Sequence, residues 1–282
     1  MVVSRAGRLE GKVAIVTGAG STPGPGIGTG KATAVVLARE GASVLLVDLY
    51  PERAEETLAM IEAEGGKAKV HQADVTKAEA CEAMVADAVG TFGGLDILVN
   101  NVGRAAVGNV VTTTEEVWDL TLAVNLRSCF LASKYAVPAI AARGGGAIVN
   151  IASVSALRGD NTVAYSAAKG GMIAMTVDMA YSHGRDGIRV NAIAPGHITT
   201  PMVRSVQNLS PAQEEFNQTM RNEAGLLGTP GDGWDVGWAA AFLASDEARW
   251  ITGATLPVES GVLTVTPLMM AARLRAIPDP EV

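Results

Sequence analysis

Aromatic side chains are scarce: only 4% of the 282 residues are Phe, Trp or Tyr. The chain therefore gives no positive support for a polycyclic ligand held by ring stacking. Cysteine is rarer still. Cys81 and Cys129 stand alone, without the spacing of a zinc site or a disulfide framework, and read as reduced, packed thiols. Basic residues are outnumbered, with 22 Lys and Arg against 29 Asp and Glu for a net charge of −7. That balance removes the electrostatic footprint of a nucleic-acid binder. No apolar run approaches the ~18 residues of a membrane span, and the opening MVVSRAGRLEGK has no signal-peptide core. The expectation is a cytoplasmic protein with no metal and with neither membrane nor nucleic acid as partner.

What the chain has is apolar mass: 48% of it is hydrophobic and 18% charged, enough to bury a large core in one domain. Short β-branched runs alternate with helix-length patterns. Residues 12–18, 43–48, 69–74, 95–100, 147–153, 188–195 and 254–259 each fit a strand buried on both faces. Helices are expected over 30–40, 51–64, 77–92, 114–142, 163–182 and 232–243. Such alternation predicts an α/β protein with a doubly wound, seven-stranded parallel sheet.

The stretch TGAGSTPGPGIGTGKATA, residues 17–34, follows the first apolar run and has two phosphate-binding readings. A P-loop needs G-x-x-x-x-G-K-[ST]. Counting back from Gly30-Lys31 puts Pro25, which lacks an N–H, at the first glycine. It also puts Ala32, which lacks an oxygen ligand, at the metal-binding position. The dinucleotide reading fares little better alone, because no uninterrupted G-x-G-x-x-G is present.

Ligands of doubly wound sheets bind beyond the carboxyl ends of the strands. The polar residues there are Gly18, Asp48, Asp74, Asn100, Asn101, Ser153 and Pro195-Gly196. Asp48 closes the second strand, where a carboxylate meets an adenosine ribose and repels a 2′-phosphate, so NAD is favoured over NADP. The competing reading is a loop-capping aspartate before Pro51.

Several further motifs occur together and in order: Thr17-Gly18, NNVG at 100–103, Asn125 in VNLRS, Ser153 in NIAS, YSAAK at 165–169 and PGHITTPM from Pro195. With them the chain resembles the NAD-linked, single-domain short-chain dehydrogenase/reductase family over residues 9–262. The resemblance implies a Rossmann-type fold and hydride transfer between NAD and a secondary alcohol or ketone. It puts Gly18, Gly28 and Gly30 at the three family glycines, interrupted by an insertion over residues 22–27. That insertion is either a surface elaboration or a stiff strap over the pyrophosphate.

Tyr165 and Lys169 are one helical turn apart and share a face. Tyrosine ordinarily titrates near 10, and a neighbouring ammonium lowers that value, so Tyr165 is the expected proton-exchanging group. The resemblance has Lys169 also hold the nicotinamide ribose. Ser153 is expected to steady the developing alkoxide, with Ser155 either sharing the task or serving its loop. By resemblance Asn125 supports a proton-relaying water, the alternative being a buried structural amide. By resemblance Asp74 and Val75 contact adenine, Asn101 and Gly103 line the adenosine side, and Ile198 and Thr200 hold the nicotinamide carboxamide. His197 is either a pocket-lining residue or an acid/base group.

Substrate choice is expected from Arg104, the turn over 156–162 and a helical lid within 201–228. Arg104 either anchors a carboxylate or neutralises nearby helix ends. The domain should end near residue 263, leaving 264–282 as an extension with apolar residues that need a partner surface. The resemblance implies a homotetramer. A different class, a lyase or epimerase that retains NAD, is the runner-up.

Overall fold

A computed structural model describes residues 7–202 and 210–266. The sheet contains β1 (Val13–Thr17), β2 (Ser43–Asp48), β3 (Lys67–Gln72), β4 (Ile97–Asn100), β5 (Gly146–Ile151), β6 (Ile188–Pro195) and β7 (Thr255–Val258). Their order is β3-β2-β1-β4-β5-β6-β7, and every pairing is parallel. The order reverses between β1 and β4, which is where such a sheet opens its binding crevice.

Parallel strands need long crossovers, and helices supply them. These are α1 (Thr29–Arg39), α2 (Pro51–Ala63), α3 (Ala78–Phe92), α4 (Glu115–Leu122), α5 (Ser128–Ala142), α6 (Val163–His183), α7 (Pro211–Ala224) and α8 (Gly233–Ala244). Strand periodicity sorts the core into two layers. Ala14, Val16, Val44, Leu46, Ile97 and Val99 face α1, α2 and α8. Val13, Ile15, Leu45, Val47, Leu98 and Ile148 face α3, α5 and α6. Central strands buried on both faces explain their unbroken apolar sequences.

Three expectations change. Neither β3 nor β7 is buried throughout, because each lies at a sheet edge with one hydrogen-bonding side unpaired among the described strands. Pro257, with no N–H to donate, is tolerated in β7 for that reason. The helix expected over 114–142 is interrupted by a π-helical turn, Ala123–Arg127, between α4 and α5. Finally, β5 stops at Ile151, so Ser153 lies in the loop beyond it and caps a short turn, Val154–Ala156.

Of the proposed lid, α7 is helical as expected, while residues 203–209 lie outside the described residues. The same holds for 267–282 of the C-terminal extension. No described helix is long and apolar enough to cross a membrane.

Candidate active site

Beyond the carboxyl ends of the central strands lies a cavity of about 750 Å³. At one end, Gly18 follows β1 in the left-handed region, φ +63°, and a Cβ on Gly30 would collide with the Gly18 carbonyl. The first turn of α1 is thus pressed against the turn after β1. Gly28 is the N-cap of α1, with no side-chain cap and no acidic residue in the first turn. Gly28, Thr29 and Gly30 line the cavity, so the helix end whose first N–H groups lack intrahelical acceptors lies at it, an arrangement suited to a phosphate.

Asn101 locks this turn. Its Nδ2 donates to the carbonyls of Thr17 (3.1 Å) and Gly18 (3.0 Å), and its Oδ1 accepts from Thr29 Oγ1 at 2.7 Å. The insertion over 22–27 crosses to the loop after β6: a Cβ on Gly24 or Gly26 would lie 3.7 or 3.8 Å from Pro201.

Asp48 serves its own loop and the cavity together. Its Oδ2 accepts from Gly20 N–H at 2.9 Å and its Oδ1 from Tyr50 N–H at 3.0 Å. Asp48 thus caps its loop, as one reading had it, and also lines the cavity. Arg53, which sequence reasoning missed, also lines this end and stacks 4.1 Å from the Tyr50 ring centroid. Helical spacing of Arg53 from Tyr50 was the available signal. Asp74 accepts from Thr76 N–H (3.0 Å) and Oγ1 (2.7 Å), and the hydrogen bond from that side chain holds its carboxyl below the usual range. Val75 is buried beside it on the cavity wall.

At the other end, α6 presents Tyr165 and Lys169. The Lys169 ammonium is 5.6 Å from the Tyr165 ring centroid, 2% exposed, and donates to the Ile151 carbonyl at 2.6 Å. Burial pulls Lys169 down to about 8. Burial also pushes Tyr165 up to about 12, partly opposed by hydrogen bonding with Ser153 and reinforced by the Asp160 carboxylate. That is the reverse of the shift expected from the ammonium alone, because the loss of water around the phenol outweighs it.

Ser153 and Ser155 are joined through their hydroxyls at 3.2 Å, and Ser155 Oγ donates to Asp160 Oδ2 at 2.6 Å. Asp160 was not singled out from sequence, although the turn containing it was. Asn125 sits in the π turn with no exposure. Its amide is fully engaged with the Arg104 backbone and the Thr121 carbonyl. Gly103 is next to this anchor, where a Cβ would come 3.2 Å from Asn125 Oδ1 and 3.6 Å from Lys169 Nζ.

His197, Ile198 and Thr200 line the cavity after β6. His197 Nε2 contacts the Arg158 guanidinium, and burial, reinforced by that charge, keeps the imidazole below its ordinary value. A neutral, Arg-bound ring fits a wall residue better than a proton exchanger. Arg104 is exposed and outside the cavity wall, contributing its backbone rather than its side chain. Asn217, Met220 and Arg221 of α7 line the cavity.

A family profile described as enoyl-(acyl carrier protein) reductase matches residues 25–263. The chain is 39% identical over 256 residues to the cyclohexanol dehydrogenase of an Acinetobacter species, covering 89% of this chain and 95% of that protein.

The chain belongs to the short-chain dehydrogenase/reductase family.

Solved structures agree. A short-chain dehydrogenase/reductase structure from Burkholderia xenovorans superposes with a TM-score of 0.86 at 43% identity, covering 93% of this chain and all (100%) of that one. A 7α-hydroxysteroid dehydrogenase complexed with NADH and 7-oxo glycochenodeoxycholic acid superposes with a TM-score of 0.81 at 33% identity, covering 90% and 95%. As a short-chain dehydrogenase/reductase this chain is an oxidoreductase that uses a nicotinamide cofactor. The uncapped α1 terminus, the glycine turn and the long cavity fit such a cofactor.

Proposed function

We propose that the protein is an NAD-dependent oxidoreductase interconverting a secondary alcohol and a ketone, with Tyr165 exchanging the proton at the substrate oxygen. The observation that carries this reading is the gathering of Tyr165, Lys169 and Ser153 at one end of a cavity whose other end holds Gly28 and Asp48. When bound, the nicotinamide supplies the hydride acceptor or donor. Gly18, Gly28, Gly30 and Asn101 shape its pyrophosphate seat. Asp48, Asp74 and Val75 flank the adenosine and Ile198 and Thr200 lie along the nicotinamide half, to which Gly103, expected on the adenosine side, is reassigned because a Cβ there would lie 3.6 Å from Lys169 Nζ.

The proton chemistry belongs to the chain. Lys169 and Tyr165 share one corner of the cavity, and an added positive charge there lowers the phenol from about 12. Ser153 presents a hydroxyl to the same oxygen. Asn125 fixes residue 104 and thereby the wall beside Lys169.

NAD rather than NADP follows from Asp48, whose charge opposes a 2′-phosphate. A secondary alcohol is supported by the cyclohexanol dehydrogenase and hydroxysteroid dehydrogenase relatives. Exposed Phe130 of α5 and Val177 and Tyr181 of α6 support self-association, as a homotetramer by family analogy. A cytoplasmic location agrees with two buried thiols that burial raises to about 11 and about 12, leaving both unreactive.

The test is NADH absorbance during incubation of the full chain with NAD and cyclic, aryl and hydroxy-acid secondary alcohols. Net NADH formation with one class supports the reading. Product without net NADH points to the NAD-retaining lyase or epimerase, and no reaction with any class counts against both.

A further inference from the structure

We propose that the substrate is a hydroxy acid, or the matching oxo acid, whose carboxylate sits between His197 after β6 and Arg221 of α7. This names a substrate class for the alcohol–ketone reading and rests on it.

The ring proton of His197 can be placed. Its Nε2 contacts Nη2 of Arg158, and a guanidinium only donates hydrogen bonds. Nε2 is therefore the acceptor, and the proton of the neutral ring is on Nδ1. Burial first, then the Arg158 charge, keeps the imidazole below its ordinary value, so the ring is neutral near pH 7. Nδ1–H has no hydrogen-bond partner among the described residues, and His197 lines the cavity. A donor left open at a cavity wall is a place for an acceptor on the ligand.

The charge of that acceptor follows from the neighbours. Arg221 lines the same cavity, and its charge acts on the His197 ring, as does that of Arg158. Arg158 is not part of the wall. Its Nε is buried and makes no hydrogen bond, so little water screens the guanidinium behind the ring. Two carboxylates oppose these cations, and both are tied to the scaffold. Glu259 accepts from the N–H groups of Gly261 at 3.1 Å and Leu263 at 2.8 Å, and Asp160 accepts from Ser155 Oγ at 2.6 Å. Glu259 is outside the cavity wall. Asp160 lines it and repels a like charge, which steers an acid group to the side of Arg221.

The seat adjoins the reacting corner. The Asp160 carboxylate acts on both Tyr165 and His197, so the phenol and the imidazole both lie near it. Met202 and Met220 also line the cavity, an apolar wall for the carbon body that joins the two polar ends of such a substrate. Arg104, the carboxylate anchor suggested by sequence, is exposed and outside the wall.

The test uses the full chain with saturating NAD and the secondary hydroxy acids lactate, 3-hydroxybutyrate and mandelate, each beside its methyl ester. The acid that reacts should exceed its ester in kcat/KM by about tenfold or more, the scale of a charge-assisted hydrogen bond. Arg221→Met and His197→Phe should each bring that ratio close to one. Arg221→Lys should keep more of it than Arg221→Met, and Arg104→Met should leave it as in wild type. Calorimetric titration of the same acids into the NAD-loaded chain reads the seat without turnover: wild type should bind at least about tenfold tighter than Arg221→Met.

An ester that matches or surpasses its acid, a ratio that survives both Arg221→Met and His197→Phe, or acids that neither react nor bind overturn the seat. Failure of the underlying reading looks different: the acids then bind with the same dependence on Arg221, and no NADH forms from any acid, ester or neutral alcohol.

Discussion

The side-chain amide of Asn125 reads both peptide groups of Arg104. Its Oδ1 accepts the Arg104 N–H at 3.1 Å, and its Nδ2 donates to the Arg104 carbonyl at 3.0 Å. A third bond, to the Thr121 carbonyl at 2.8 Å, closes the set within the π-helical turn. Such turns recur at functional sites because they redirect one side chain from a helix. Here the redirected side chain pins the loop after β4 next to Lys169.

Asn125→Ala should therefore damage both fold and turnover. Removing the amide strands buried backbone groups of residues 104 and 121, a cost of about 1–3 kcal/mol. Urea denaturation should record that loss. Steady-state kinetics should show a lower kcat, because the released loop also carries Gly103. Unchanged stability and unchanged kcat together would refute the anchoring role.

Lys169 gives a pH signature of stability. Its folded value is about 8 against an unfolded value of 10.5, so between these the unfolded chain binds more protons and stability from this group rises with pH. Below pH 8 the penalty for burying the charge is fully present. Lys169→Met lacks that penalty, so its stability relative to wild type should decline as pH rises from 8 to about 10. Denaturant titrations of both proteins across that range check the slope. Tyr165 acts oppositely, its raised value making stability fall as pH climbs from about 10 toward 12.

Asp48 should set cofactor choice. With the carboxylate removed in Asp48→Ala, Arg53 remains on the same cavity wall. Wild type should bind NADH at least about tenfold tighter than NADPH, a difference of about 1.4 kcal/mol. The variant should lose most of that preference. Fluorescence titration with each dinucleotide measures it, and equal affinities in wild type would reverse the assignment.

The strap over 22–27 should govern exchange. Gly24 and Gly26 approach Pro201 across the cleft, so the strap links the turns after β1 and β6 over the cofactor seat. Excising 22–27 should accelerate NADH dissociation several-fold in stopped flow. An unchanged off-rate would make the insertion a surface elaboration.

Sequence pattern made the sheet legible because the central strands are buried on both faces and their apolar runs have no other use. It placed β3 two residues late and expected both edge strands to be buried on both faces, where exposure at Lys67, Lys69 and Pro257 weakens the signal. The long helix over 114–142 hid its π turn, since one extra residue per turn leaves no compositional trace. Gly18, Asp48 and Asn101 drew attention because they lie at strand ends, and Tyr165 and Lys169 because they are one helical turn apart, whereas Gly28 and Gly30 rested on the family resemblance. Asp160, Arg53 and the Arg158–His197 contact were not legible, because they depend on how loops fold onto one another. The direction of the Tyr165 shift escaped for the same reason: desolvation is a property of packing.

The most direct test of the central claim is the rate of hydride transfer in Tyr165→Phe, measured by rapid mixing with NAD and an alcohol that wild type oxidises. Removing the proton-exchanging hydroxyl should slow that step by about a hundredfold or more while leaving NADH affinity within about twofold. A wild-type rate of hydride transfer in Tyr165→Phe would contradict it.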